Sequence, residues 1–306
     1  MLENLRRKST SKTYNDPIHQ VHFEQGLARY ESFIELGVCD QRLSKALQDC
    51  SFQKTVDIVH KETFSYFKLN MIYCPSGSFM AGNKNHTYSY ERKTIQNPFL
   101  LSDAEISQEL YQKVRGNNPS EQFQHPQNPV VNVSWFDAIA FCNELSDLQG
   151  LERCYVENKH NFADYGWDCD FKKNGYRLPT ELEWEYAAKA GTENRYAGTD
   201  DVSQLGDYAW LRENSNDQIH PIRTKKPNGW GFYDMTGNVY EWCWDRKYDD
   251  DTFKRQQTGR VIRSSYFTMR QNSTSQDLSN TLVDVGNIPM ISRTNLGFRI
   301  ARTVTK

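Results

Sequence analysis

The sequence predicts an α+β domain in which short strands and a few well-capped helices sit within a large amount of irregular chain. Three observations carry this prediction. Aromatic residues make up 13% of the 306 residues, including 17 Tyr and 7 Trp, a usage that suits short strands and loops pinned by large side chains. Three helix starts carry their own capping chemistry. Two stretches, Cys154 to Tyr176 and Gly191 to Gly231, have no sustained periodicity and are too long to be ordinary loops of a compact domain.

Along the chain, residues 1–66 differ from the rest. Leu27, Tyr30, Ile34, Val38, Leu43 and Leu47 recur at helical spacing, so this stretch reads as a small helical extension preceding a domain at 67–306. His19 and His22 with Glu24 match a metal-binding pattern on one helix face, or else are ordinary polar positions. From Met71, short apolar runs alternate with turn residues. Met71–Tyr73 and the run at 75–82 read as two short strands joined by a turn. Ser107 starts a helix over Gln108 to Val114. Ser134 starts one over Trp135 to Leu148, with Asp137 three residues on. Thr180 starts one over Glu181 to Ala190, with Glu183 as capping-box partner and Gly191 as the stop. A Gly-turned segment at 226–242 ends in an aromatic strand, and 259–263 and 295–302 read as two strands that carry Arg.

Composition excludes several classes. No apolar run reaches the length of a membrane-spanning helix. The 37 basic and 39 acidic residues are interspersed, so no basic stripe is offered to nucleic acid. The seven cysteines show no CxxC spacing, which argues against a zinc ribbon or a thioredoxin-type site.

Five strings occur in one order: a PxGxFxMG-like start at 75–82, PVVNVSWFDAIAFCN at 129–143, YRLPTELEWEYAA at 176–188, GFYDMTGNVYEW at 231–242 and LGFRIAR at 296–302. Together they resemble the sulfatase-modifying-factor family, whose founding member is the formylglycine-generating enzyme. The resemblance implies an elaborated C-type-lectin fold with a small antiparallel sheet, two main helices and much irregular structure. It also implies where the enzyme's copper-binding cysteine pair falls, shortly after the strand that matches Arg260–Arg263. Copper(I) needs soft thiolates, and this chain has no cysteine after Cys243. The iron-dependent sulfoxide synthases resemble it less, because the His19/His22 spacing is i, i+3 rather than i, i+4. No catalytic residue is therefore assigned, and no cofactor is required.

One site implied by the resemblance is calcium, held by Asp234, the carbonyls of Gly237 and Val239, and Glu241, which are hard oxygen ligands. The alternative is that Asp234 caps a turn and Glu241 pairs with an Arg. Both readings stand at this point.

Residues 264–295 are anomalous. Sixteen of the 32 are Ser, Thr, Asn or Asp, and none is Lys, Glu or Trp. An AAY codon whose adenines are replaced at random reaches a residue set that excludes Lys, Glu, Gln, Met and Trp. Only Met269, Gln271, Gln276 and Met290 break that rule. The segment is similar to the variable region of diversity-generating-retroelement proteins of the Treponema type, which display variable residues on a fixed lectin-type frame. That resemblance implies non-catalytic binding of a protein or glycan ligand by a monomer. It also implies a lipid-anchored cell-surface location with the export signal outside this chain, a cytoplasmic location being the alternative. Tyr266, Phe267 and Ile288 are expected as apolar anchors. Ser264, Ser265, Thr268, Asn272, Ser273, Thr274, Ser275, Asp277, Ser279, Asn280, Thr281, Val283, Asp284, Val285 and Asn287 are expected as the remaining contacts. The competing reading is a surface loop that has drifted in a degenerate relative of the enzyme.

Overall fold

The computed structural model describes residues 68–82, 90–248, 257–269 and 288–304. The expected N-terminal helices, with His19 and His22, lie outside the described residues. The fold below is that of the compact unit formed by Asn70–Leu145 and Glu152–Lys306.

Among the described residues the strands form four small sheets. The main sheet has the order β1-β4-β11-β7, all antiparallel, from β1 (Met71–Cys74), β4 (Phe99–Ser102), β11 (Ala301–Thr303) and β7 (Tyr176–Arg177). β11 thus lies inside this sheet, between β4 and β7. A second sheet places β8 (Tyr240–Tyr248) between β10 (Leu296–Gly297), which runs parallel to it, and β9 (Gln257–Arg263), which is antiparallel. β2 (Gly77–Ala81) pairs with β3 (Glu91–Ile95), and β5 (Tyr155–Glu157) with β6 (Trp167–Cys169). Both strands expected at 71–82 exist, but they do not pair with each other. The apolar stretch at 295–302 is not one strand, because Phe298 to Ile300 leave the ladder between β10 and β11.

The three capped helices form as their caps dictate. In α1 (Gln108–Arg115), the Ser107 side chain accepts from the Leu110 N–H at 3.2 Å, and Gly116 closes the helix in the left-handed region. In α2 (Trp135–Leu148), the Asp137 N–H donates to Ser134 Oγ while the Asp137 carboxylate accepts from the Ser134 N–H. In α3 (Glu181–Lys189), Thr180 and Glu183 make a full capping box, and Arg177 grips the Glu183 carboxylate with two 2.7 Å bonds. The two long stretches without periodicity contain only the β5–β6 hairpin, β7 and short helical turns, which is why no period shows in the sequence.

α3 packs on β2, β3, β8 and β9. There Trp184, Ala187, Phe99, Leu101, Phe232, Met235 and Cys243 form the main core. Three indoles are fully buried, and each finds an acceptor: Trp135 on the Cys243 carbonyl (3.1 Å), Trp242 on the Val133 carbonyl (3.0 Å) and Trp184 on Glu241 (2.8 Å). Burying such a ring is favourable by roughly 4–6 kcal/mol before entropy is counted, provided its N–H is paired. Arg260 is buried as well, its guanidinium lying 3.8 Å from the Trp135 ring centre and 4.7 Å from that of Trp244, with Asp164 as counter-charge.

Candidate functional site

The turn at 234–239 and the start of β8 bring a carboxylate cluster together. Gly237 has φ +86, and a Cβ there would lie 2.4 Å from the Trp210 carbonyl oxygen. Only glycine permits that approach. Asp234 and Asn238 also adopt positive φ. Asn238 donates its side-chain N–H to the His220 carbonyl (3.2 Å) and to Glu105 (3.3 Å).

Glu241 is fully buried and fully engaged. Arg299 donates to both of its oxygens, at 2.6 and 2.7 Å, and Trp184 donates to one of them at 2.8 Å. The pairing with an Arg therefore describes Glu241, and the proposed calcium ligand set does not include it. Asp234 differs: one oxygen accepts the Arg223 N–H at 2.9 Å, while Oδ1 has no partner. Glu105 is equally buried and leaves Oε2 without a partner. Burial, reinforced by the charges of Asp234 and Glu241, holds the Glu105 carboxyl well above the ordinary carboxylate range. Burial raises Asp234 to about 6 against the opposing Arg223 N–H bond. Two buried carboxyls in contact, each with an orphaned oxygen, are satisfied by a shared proton or by a hard cation. Glu105 was not singled out by sequence reasoning, since it lies 129 residues before Asp234 and outside any metal motif. Among the described residues no group of three or more His, Cys, Asp or Glu side chains has metal-holding geometry.

The start of the anomalous segment is anchored, not displayed. Ser264 sits at φ +73 and donates its Oγ to the Gly237 carbonyl (3.2 Å), while the Gly237 N–H donates to Ser265 Oγ (3.0 Å). Both serines are buried. Phe267 is buried too, packed with Val131, Ile219 and Val239 and edge-on to Phe123. The expectation that Ser264, Ser265 and Phe267 present their side chains at the surface is corrected: they clamp the 234–239 turn and fill the core beneath it. Tyr266 is half-buried against Tyr240, with ring centres 4.7 Å apart, and Thr268 is half-buried. Ile288 is 43% exposed, and its neighbour Met290 is 74% exposed.

Both ends of the segment are tied to fixed elements. The Phe267 N–H donates to the Asn238 carbonyl, Ser215 Oγ donates to the Phe267 carbonyl at 2.7 Å, and the Arg212 N–H donates to the Met269 carbonyl. At the far end, the Trp135 N–H at the start of α2 donates to the Pro289 carbonyl, and the Asn132 N–H donates to that of Arg293. Asn272, Ser273, Thr274, Ser275, Asp277, Ser279, Asn280, Thr281, Val283, Asp284, Val285 and Asn287 lie outside the described residues.

The cysteines that are described (Cys74, Cys142, Cys154, Cys169 and Cys243) are not joined in disulfides. Burial raises the pKa of each, so none has the character of an activated thiolate.

Comparison with known proteins agrees with this architecture. Among solved structures, Treponema denticola variable protein 1 superposes with a TM-score of 0.67 at 32% identity, over 77% of this chain and 95% of that one. A chaperone protein, LppX, from Paenibacillus barcinonensis is 32% identical over 203 residues, which is 58% of this chain and 71% of that protein. The formylglycine-generating enzyme of Streptomyces coelicolor is 29% identical over 58% of this chain, and the chain spans about half of that enzyme's length (53%). The family model for the sulfatase-modifying factor enzyme 1-like domain matches residues 66–304, and the chain belongs to that family.

Proposed function

We propose that this chain is a non-catalytic ligand-binding protein that carries a diversified segment on a fixed lectin-type frame. The observation that carries the reading is the contrast between the segment and its ends. Residues 264–269 and 288–293 are fastened to 212–215, 238 and the start of α2, while the stretch they enclose draws on a residue set without Lys, Glu or Trp. A frame fixed independently of the segment limits the entropy lost when a ligand binds. The ligand is a protein or a glycan, the protein acts as a monomer, and the location is the cell surface through a lipid anchor. The similarity to a variable protein and to a chaperone supports binding. Active formylglycine-generating enzymes match too, but the position of their copper thiolates is taken here by a stretch with no cysteine.

The test is on the gene. Sequencing its 3′ end and flank should reveal an imperfect repeat of the coding sequence for 264–306 that differs only at adenines. A gene end without such a repeat returns the chain to the class of degenerate enzyme relatives.

Calcium is the structural cofactor in this reading. Glu105 and Asp234, with the carbonyls of Gly237 and Val239, would hold it, and the two orphaned carboxylate oxygens support that assignment. A chelator should lower the melting temperature of the wild-type protein, and added calcium should restore it. Insensitivity to both would remove calcium from the proposal.

A further inference from the structure

One cavity is lined by residues other than those of the carboxylate cluster. It is a cleft of about 540 Å³ between α1 and the loop 118–126, and it is lined by Gln108, Gln112, Lys113, Gln124, His125 and Pro126 among others. That volume is within the usual range for a small-molecule site.

The wall of the cleft is built, not accidental. Gln108 is 1% exposed and saturates its amide. It donates to the Phe123 carbonyl at 2.8 Å and the Pro129 carbonyl at 3.3 Å, and it accepts from Asn118 (3.0 Å) and from the His125 N–H (3.2 Å). One buried amide therefore fixes the loop at both flanks of the opening. The Glu109 N–H donates to the Pro126 carbonyl, and Glu109 accepts from Gln127 at 2.7 Å, which closes the rim. None of these bonds involves the segment between 269 and 288, so this site does not depend on the diversified reading.

The groups facing outward differ in character from the wall. Gln112 and Gln124 are exposed. His125 accepts the Gln127 N–H on Nδ1 (3.2 Å), which leaves Nε2 as the ring's donor. Glu109 and Lys113 pair with each other at 2.9 Å, which leaves the cleft without net charge. The lining thus offers amides that both donate and accept, one imidazole donor, and the methylene stems and Pro126 ring as apolar surface. An anion or a cation finds no uncompensated charge here, and an apolar peptide side chain finds no aromatic or branched wall. A hydroxyl both donates and accepts, which matches a primary amide, and a sugar ring pairs such hydroxyls with an apolar C–H face.

We propose that this cleft is a fixed binding site for an uncharged saccharide, with Gln112 and Gln124 as its principal polar contacts. The test uses the full chain, titrated with maltotriose, cellotriose, chitotriose and, as the competing class, triglycine, and followed by isothermal calorimetry and saturation-transfer NMR. At least one of the three saccharides should bind saturably at millimolar or lower concentration. Binding should weaken by about tenfold or more in the Gln112→Ala/Gln124→Ala double variant, the effect of losing two hydrogen bonds, with the melting temperature unchanged. If the double variant does not fold, Gln124→Glu alone on the exposed loop should give a similar loss. Absence of binding by all three saccharides, binding insensitive to these substitutions, or binding of triglycine alone would overturn the assignment.

Discussion

Gly237 shows how one residue can set a site. Its backbone lies against Trp210, its N–H and carbonyl are held by Ser265 and Ser264, and its φ of +86 is open to glycine at little cost. Gly237→Ala must push a methyl into the Trp210 carbonyl while holding a left-handed conformation. We expect a loss of about 2 kcal/mol or more, read as a lowered urea midpoint; a neutral substitution would mean that the turn relaxes freely. Asp245 makes a different point at the same scale. Burial, with the charges of Glu181 and Glu183, raises its carboxyl to about 6, even though it accepts the Glu181 N–H. The folded protein therefore binds this proton more tightly than the unfolded chain. The resulting stabilisation is complete below the unfolded value near 3.8 and is lost as pH rises through about 6. Relative to Asp245→Asn, the wild type should lose on the order of 2–3 kcal/mol of stability between pH 4 and 7. A flat difference over that range would show that Asp245 does not titrate with folding.

At the scale of elements, α3 depends on a junction of local and distant contacts. Thr180 and Glu183 complete the cap within four residues, and Arg177 from β7 then fixes Glu183 to the main sheet. Thr180→Ala should cost about 1 kcal/mol by thermal denaturation, the usual value of a lost N-cap. Glu183→Ala should cost more, because it leaves the buried Arg177 charge without its partner. The local half of this junction was legible in the sequence, because a cap is written within one turn of chain. The starts of α1, α2 and α3 were read from Ser107, Ser134 and Thr180 for the same reason. Pairings such as β11 beside β4 and β7 were not legible, since nothing near residue 301 specifies partners as far away as Leu101 and Arg177. The same distance hid Glu105 from the carboxylate cluster. Phe267 was misread because a composition window that begins at 264 does not separate anchors from the stretch they hold. Its burial depends on Val131, Ile219 and Val239, which no local pattern connects to it.

Over the whole molecule, the frame and the proposed variable stretch are separable loads on stability. The core under the 234–239 turn, the Glu241–Arg299 pair and the two anchor points at Met269 and Pro289 are all made by residues outside 270–287. A segment that contributes to binding but not to that frame should tolerate rewriting. Replacing Asn272, Ser273, Thr274, Ser275, Asp277, Ser279, Asn280 and Thr281 together by other members of the Ser/Asn/Asp/Tyr set should move the melting temperature by no more than about 2–4 °C, the equivalent of roughly 1 kcal/mol in a domain of this size. Phe267→Ala, only a few residues upstream, should instead cost about 3–5 kcal/mol, because it empties a packed site. The two results together locate the boundary between scaffold and display. A large loss from the rewritten stretch would place those residues in the fold and remove the basis for reading them as a binding surface. Tolerance there, with a steep cost at Phe267, is the behaviour that a frame carrying an exchangeable surface requires.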